Sequence, residues 1–445
     1  MNRDQRDVDQ HVPLAEATRV WARIGLLGFG GPAGQIALMH RILVDEKGWI
    51  SETRFLHALN FCMLLPGPEA QQLATYVGWL LHGIRGGLVA GLLFILPGFV
   101  VILALSYIYV TAGSLPLVQG LFLGLKAAVV VIVLQALIRI ARRSLHRPEA
   151  AVLALLAFVA MYAWRVPFPY VILAAALAGA LFARFAVASA TPGEDAAEPL
   201  SAAVGPRYLL TCIAVFGGLW LAPTGMLVAT LGADHVFTDI ALFFSKMAVV
   251  TFGGAYAVLA WVSQEAVAGF GWLTPGEMID GLAMAETTPG PLIMVVQFVG
   301  FLAAWRDPGG LPAPLAALLG AGLTTWVTFA PCFLWIFAGA PYIERLRRNR
   351  ALAAALAGVT AAVVGVIANL ALWFTLHTLF GEVASHRVAG AVLDLPVPGT
   401  LQLPALLITT LAAVFVFRMR GSILATLALS GALGVAVATL GGSAS

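Results

Sequence analysis

The chain contains little charge. Of its 445 residues only 11% are Asp, Glu, Lys or Arg, whereas 60% are hydrophobic. A soluble domain of this size needs more charge to cover its surface, so the composition excludes an ordinary soluble protein and indicates a membrane protein. The net charge of +3 is small, and the basic residues are gathered in a few loops. That distribution argues against nucleic acid as a partner.

Several chemical motifs are also missing. The three cysteines, Cys62, Cys212 and Cys332, lie in apolar runs without CxxC spacing, so neither a disulfide framework nor a zinc site is predicted. The histidines form no His-x-x-x-His pair, and no GxxxxGK[ST] run is present. The sequence therefore predicts no metal, no cofactor and no ATP-driven step within this chain.

The apolar runs predict an all-α polytopic membrane protein with about thirteen transmembrane segments. Residues 1–16 are polar, lack the features of a signal peptide and are interpreted as a cytoplasmic tail. A first repeat of six spans covers 17–187, a polar linker covers 188–207, a connecting span covers 208–232, and a second six-span repeat covers 240–440. The predicted spans lie at about 17–40, 55–82, 86–110, 116–139, 149–164, 169–187, 208–232, 240–262, 278–305, 311–337, 351–379, 401–417 and 421–440.

Two stretches of the chain match each other at a constant offset of 223 residues. The matching groups are Phe29-Gly30-Gly31 with Phe252-Gly253-Gly254, Gly48-Trp49 with Gly271-Trp272, and Pro66-Gly67-Pro68 with Pro289-Gly290-Pro291. A register held by residues that break helices indicates an internal duplication. Glycine- or proline-interrupted apolar segments at corresponding places in two halves are typical of the binding site of a secondary transporter.

The two repeats are predicted to be inverted. Seven crossings separate their starts, and an odd number reverses the orientation. The arginine-rich loops at 139–147 and 345–350 follow spans four and ten, which places both on the side of the amino-terminal tail, the cytoplasm by the positive-inside rule. The carboxyl terminus is then periplasmic. The basic residues within 41–54 do not fit this scheme, which leaves open whether the first two segments of each repeat cross fully.

The Pro-Gly-Pro breaks are predicted to lie near mid-membrane. Residues 55–65 precede the first break and 69–82 follow it, which corresponds to roughly 16 Å and 21 Å of helix. Proline and glycine unwind the backbone there, and a new helix beginning at Pro68 leaves free amides that must face protein, water or an anion. Helix amino termini carry partial positive charge and bind anions. A single such break is usually a packing kink, but two in register favour a site.

The predicted anion site combines the breaks with nearby polar and cationic side chains. Arg23 and Lys246 are equivalent cations that either serve the substrate or snorkel to the interface. Glu69 and Glu286 flank the breaks and are proton-coupling candidates, with a structural carboxyl as the alternative. The candidate substrate-binding residues are Arg23, Gly30, Gly31, Pro66, Gly67, Pro68, Glu69, Gln71, Lys246, Gly253, Gly254, Thr287, Thr288, Pro289, Gly290 and Pro291.

These same residues resemble the motifs of the chromate ion transporter family in its long, two-domain form. The resemblance rests on Phe-Gly-Gly-Pro-Ala-Gly-Gln-Ile at 29–36, Gly-Trp-Ile at 48–50, Leu-Pro-Gly-Pro at 65–68, Thr-Phe-Gly-Gly at 251–254 and Thr-Thr-Pro-Gly-Pro at 287–291. It covers nearly the whole chain. It implies a bacterial inner-membrane protein that exports chromate and confers chromate resistance, with sulfate as the natural structural analogue. The two copies differ where Leu292 replaces Glu69 and Ala255 replaces Pro32.

Other functions stay open from the residues alone. Spacing does not distinguish chromate from sulfate or another oxyanion, and a passive anion channel would share the same site. A membrane-embedded enzyme acting on a lipid phosphate would use the arginine-rich loops, yet these lack accompanying Asp, His or Asn clusters, so a non-enzymatic transporter is the prediction. A homodimer is compatible with the sequence.

Overall fold

A computed structural model describes residues 12–185, 205–342, 350–388 and 390–442. Most of the predicted tail at 1–16, nearly all of the linker at 188–207 and nearly all of the arginine-rich loop at 345–350 lie outside these residues. The helices of the first part of the chain are α1 Leu14–Leu27, α2 Gly31–His40, α3 Glu52–Cys62, α4 Glu69–Ala112, α5 Pro116–Ser144, α6 Pro148–Trp164, α7 Phe168–Phe185 and α8 Pro206–Leu231.

The second part of the chain repeats this pattern of short helices followed by long ones. Its helices are α9 Val236–Val250, α10 Ala255–Gln264, α11 Pro275–Thr287, α12 Val295–Arg306, α13 Ala313–Gly339, α14 Arg350–Leu379, α15 Leu403–Ala413 and α16 Ile423–Gly442. Short π-helical extensions follow α2, α10 and α15, and a 3₁₀ turn, Leu292–Met294, precedes α12.

The described helices are those of a polytopic membrane protein. Six are long and apolar enough to cross a bilayer, and four shorter apolar helices accompany them. The prediction of a polytopic helical protein is therefore confirmed, while the count of thirteen spans stays a prediction. One element departs from the all-α prediction. Strands β1 Val383–Val388 and β2 Ala391–Pro396 pair antiparallel across a turn that contains Gly390, where φ is +82°.

Four of the predicted spans consist of two short helices each. In the first part, the apolar run at 17–40 forms α1 and α2, and the run at 55–82 forms α3 and the first arm of α4. In the second part, the run at 240–262 forms α9 and α10, and the run at 278–305 forms α11 and α12. Helix α4 is itself two helices that meet at Gly83, where φ is +62°. An apolar helix needs about 20 residues to cross the hydrocarbon core, so the short helices between breaks cannot cross alone.

The long helices of the two parts pack reciprocally against each other. Helix α5 packs on α15 and α16, and α14 packs on α6 and α7, while α4 contacts α13. Small residues allow this close approach. A Cβ on Gly124 of α5 would lie 1.9 Å from the Ser430 carbonyl oxygen of α16, and a Cβ on Gly358 of α14 would lie 2.3 Å from the Ala175 carbonyl oxygen of α7. The two parts thus form one interlocked core around the broken segments.

Candidate functional site

The glycines of both breaks adopt backbone conformations that other residues avoid. Their φ angles are all positive and range from +68° at Gly31 to +122° at Gly67. The other four are +84° at Gly30, +81° at Gly253, +92° at Gly254 and +96° at Gly290. An L side chain in the left-handed region costs roughly 1–2 kcal/mol, so glycine is required by the chain path itself. The sequence motif therefore marks four sharp turns of the backbone inside the membrane domain.

Each Pro-Gly-Pro break docks on the loop that ends the first helix of the opposite part. The amide of Gly67 donates a 2.8 Å hydrogen bond to the carbonyl oxygen of Thr251, and the amide of Gly290 donates a 3.1 Å hydrogen bond to the carbonyl oxygen of Gly28. Gly290 lies 223 positions after Gly67, and Thr251 lies 223 positions after Gly28, so the two hydrogen bonds join equivalent residues. Such a reciprocal pair of contacts is what a two-fold relation between duplicated segments produces.

The helices that begin at the breaks have no side-chain caps. Helices α2, α4 and α10 start after Gly30, Pro68 and Gly254, and none of these three residues caps its helix with a side-chain hydrogen bond. The helices that begin at the far ends differ, since α3 is capped by Ser51 and α11 by the equivalent Thr274. The helices that begin at the breaks therefore lack the side-chain cap that their neighbours α3 and α11 have, and the anion site predicted at their amides stays a prediction.

Two buried glutamines hold the backbone of the breaks. The Gln72 amide donates a 2.7 Å hydrogen bond to the Pro66 carbonyl oxygen. The Gln35 amide donates to the carbonyl oxygens of Gly28 and Gly290, so one side chain ties a loop of the first part to the break of the second. The Oε1 atoms of both glutamines, and of the buried Gln71, have no hydrogen-bond partner. Gln35 was not among the predicted site residues.

Both predicted carboxylates lie at the start of α10. Oε1 of Glu69 is 3.4 Å from the position that a Cβ on Gly254 would occupy. Glu286, at the end of α11 and 2% exposed, accepts a hydrogen bond from the Tyr256 hydroxyl, while its Oε2 is buried without a partner. One acidic side chain from each of two broken segments thus contacts the amino-terminal end of α10, Glu69 beside Gly254 and Glu286 through the Tyr256 hydroxyl.

The remaining predicted residues divide between the breaks and the surface. Thr287 and Thr288 bond to carbonyls of their own helix, and Pro289 and Pro291 frame Gly290. Arg23 forms an ion pair with Glu46 at 3.4 Å, and its side chain is half-exposed. Lys246 is exposed as well. Neither cation forms a hydrogen bond or an ion pair with the breaks, so the structure does not join them to the buried contacts described above.

A buried charged cluster lies outside the predicted site residues. Lys126 of α5 lies 3.4 Å from Oδ1 of Asp280 in α11, and the Tyr109 hydroxyl of α4 donates a 3.0 Å hydrogen bond to Oδ2 of the same carboxylate. Charged residues inside membrane segments are rare and usually functional. Their positions inside the runs at 116–139 and 278–305 were the signal that could have identified them.

A separate cavity of about 140 Å³ lies under the hairpin and touches none of the breaks. Arg165, Gln264, Asn369 and Asp394 are among its lining residues, and Arg165 forms a 2.8 Å ion pair with Asp394. Among the described residues, no group of three or more His, Cys, Asp and Glu side chains is placed to hold a metal ion. The groups that the structure places at the breaks are amides, carboxylates, hydroxyls and the Cys332 thiol, whose Sγ lies 2.9 Å from the position of a Cβ on Gly67.

The fold and the breaks define a polytopic membrane protein built from two copies of a broken-helix unit. A family model described as "Chromate transporter" matches residues 15–180 and again 238–435, and the two matches start 223 positions apart. The chain belongs to the chromate transporter family.

Curated relatives from three bacteria cover most of the chain. It is 36% identical to a chromate transport protein of Pseudomonas aeruginosa, over 78% of this chain and 77% of the relative. It is 31% identical to a chromate transport protein of Cupriavidus metallidurans, over 80% of each chain. A probable chromate transport protein of Synechococcus elongatus is 30% identical over 80% of this chain and 83% of the relative. No solved structure gives a significant match.

Proposed function

We propose that this protein is a secondary transporter that exports chromate across the bacterial inner membrane and thereby gives chromate resistance. The observation that carries the proposal is the reciprocal docking of Gly67 on Thr251 and of Gly290 on Gly28, which gathers uncapped helix starts inside the membrane domain. Membership in the chromate transporter family supports chromate as the substrate.

The proposed site binds the oxyanion through backbone amides. A tetrahedral dianion that enters the membrane domain loses hydration, and the free amides at the starts of α2, α4 and α10 replace part of it. Because the glycines carry no side chain, the oxygens can approach the backbone closely. Gln71, Thr287 and Thr288 supply neutral polar groups beside the breaks. Arg23 and Lys246 are assigned to the approach route, since both are exposed.

Glu69 and Glu286 couple binding to protons in this proposal. A carboxylate beside a dianion in a site of low dielectric raises the energy of the complex unless the carboxylate is protonated. Glu69 lies beside Gly254 before α10, and Glu286 accepts a hydrogen bond from Tyr256 in the first turn of α10. A proton taken up by either carboxyl favours anion binding, and its release favours dissociation. The inverted arrangement of the two repeats would let the site open alternately to the two sides of the membrane.

The charge of the substrate supports export as the direction of transport. A dianion that leaves a cell with a negative interior gains about 2.3 kcal/mol per charge per 100 mV, or roughly 4.6 kcal/mol in total. Uptake would have to overcome the same free energy through symported protons or cations. Export as uniport or as proton exchange therefore requires no further energy source.

Sulfate is the second candidate substrate because it shares the shape and charge of chromate. The purified protein in proteoliposomes, with labelled chromate or sulfate and imposed voltage and pH gradients, tests both. We expect saturable chromate flux that accelerates when the anion moves toward the positive side, with trans-stimulation by unlabelled substrate. Flux that does not saturate would indicate a channel. Modification of added lipid phosphates without oxyanion flux would indicate an enzyme and overturn the proposal.

A further inference from the structure

The cluster of Lys126, Asp280 and Tyr109 joins the two parts of the protein. Lys126 and Tyr109 lie on α5 and α4 of the first part, and Asp280 lies on α11 of the second. The Asp280 side chain is 7% exposed, whereas that of Lys126 is 26% exposed. The carboxylate is therefore enclosed by protein while its cationic partner retains access to the space outside.

The contact between the two charges is incomplete. Oδ2 of Asp280 accepts the hydrogen bond from Tyr109, while the buried Oδ1 has only the Lys126 ammonium, at a long 3.4 Å. A structural ion pair of this burial normally satisfies its remaining acceptors with short hydrogen bonds. The ammonium here is close enough to neutralise the carboxylate, and no hydrogen bond or ion pair joins it to another described residue, so an ammonium with three donors can accept a further partner.

The cluster lies in line with the second break. Asp280 precedes Thr287 by seven residues, which is two turns of α11 or about 10 Å, and residues spaced by seven lie on the same helix face. Lys126 also approaches this face one turn earlier, 3.8 Å from the position of a Cβ on Gly276. Thr287 is half-buried and stands directly before Thr288 and the Pro-Gly-Pro break.

We infer that Lys126 is a substrate-binding residue that pairs with the oxyanion on its way to or from the breaks, and that Asp280 is the resting counter-ion which the oxyanion displaces. This inference rests on the proposed function. A dianion crossing a medium of low dielectric requires a compensating cation, and Arg23 and Lys246 are not in contact with the breaks. When the dianion replaces Asp280 as the ion-pair partner of the Lys126 ammonium, the Asp280 carboxylate keeps the Tyr109 hydrogen bond. The pair thus holds Lys126 neutralised when no substrate is present.

The test measures KM and maximal chromate flux in proteoliposomes for single and double variants. Lys126→Met should raise KM about tenfold or more, the loss expected for one charge-assisted hydrogen bond, and Lys126→Arg should recover most of the affinity. Asp280→Asn removes the competitor for the ammonium, so it should lower KM and slow release. The double variant Lys126→Met/Asp280→Asn should keep the raised KM. Glu149→Gln, which removes an exposed carboxylate at the start of α6, is the control and should leave KM unchanged.

A purely structural pair gives the opposite pattern. Each single variant would then lower the thermal stability of the purified protein, and the double variant would restore both stability and KM. If Lys126→Met does not fold, the sign of the KM change in Asp280→Asn decides, because an unchanged or raised KM overturns the inference. Absence of oxyanion flux in the wild type would instead reject the proposed function itself, so the two failures are distinguishable.

Discussion

Oε1 of Glu69 lies 3.4 Å from the point where a Cβ on Gly254 would stand. The two residues belong to different parts of the chain, and their contact places a carboxylate from the first break beside the amino terminus of α10. A glycine of one part and a carboxylate of the other therefore meet. A substitution of either residue tests this contact.

Gly254→Ala should reduce chromate flux strongly. The φ angle of +92° strains any L side chain by roughly 1–2 kcal/mol, and the new methyl group would stand in van der Waals contact with the Glu69 carboxylate, in space next to the proposed site. Gly390→Ala is the matched control, because its φ is +82° and its Cβ would meet nothing within 4 Å. Flux and thermal stability are measured for both variants. Equal losses of flux would mean that backbone strain alone accounts for the effect at Gly254.

Gln35→Met should lower both maximal flux and stability. Methionine keeps the volume but removes the amide that bridges the carbonyl oxygens of Gly28 and Gly290, and a buried carbonyl without a partner costs about 1–3 kcal/mol. Gln72→Met tests the corresponding restraint on Pro66 in the first break. Thermal unfolding of the purified variants and flux assays provide the two measurements. A Gln35→Met protein with wild-type flux and melting temperature contradicts the role of this side chain as a restraint.

Glu69→Gln should flatten the pH dependence of transport. If the carboxyl must be protonated before a dianion binds, wild-type flux at fixed voltage falls as the pH rises, because the charged form accumulates. Glutamine imitates the protonated form, so the variant should lose this fall while nearly keeping the shape of the side chain. Glu149→Gln at the exposed start of α6 is the control. Superimposable pH curves for Glu69→Gln and wild type, apart from a uniform scale factor, would show that Glu69 does not couple protons to the anion.

Arg23→Gln and Lys246→Gln should each raise KM for the oxyanion while leaving the protein folded. Both cations occupy equivalent places before the Gly-Gly turns, and each is exposed. The Arg23 ion pair with Glu46 is exposed too, and such pairs contribute little to stability, so folding should tolerate its loss. Binding and flux are compared for the two variants. Wild-type values in both would identify these side chains as interfacial anchors.

Inverted repeats predict that equivalent positions lie on opposite sides of the membrane. Lys47 and Phe270 are separated by the offset of 223, and both are exposed. Single Lys47→Cys and Phe270→Cys variants should react with a membrane-impermeant maleimide from opposite faces. The native cysteines Cys62, Cys212 and Cys332 are buried, which keeps background labelling low. Labelling of both positions from the same face would establish parallel repeats.

The sequence by itself determined where the backbone breaks. Glycine and proline act through local sterics, so the turns at Gly30, Gly67, Gly253 and Gly290 could be located without knowledge of any tertiary contact. The membrane setting followed in the same way from composition. The hairpin around Gly390 was missed because its two strands have six residues each and show no regular alternation of apolar and polar side chains.

The tertiary structure alone decided which breaks meet. Nothing local to Gly67 specifies Thr251 as its partner, since that contact depends on how the two parts interlock. The same holds for Gln35, whose amide reaches a carbonyl 255 positions away, and for the meeting of Lys126 with Asp280. Periodicity and residue type report on the chain within a few turns. Pairing between distant segments is instead fixed by the packing of long helices such as α5 and α14.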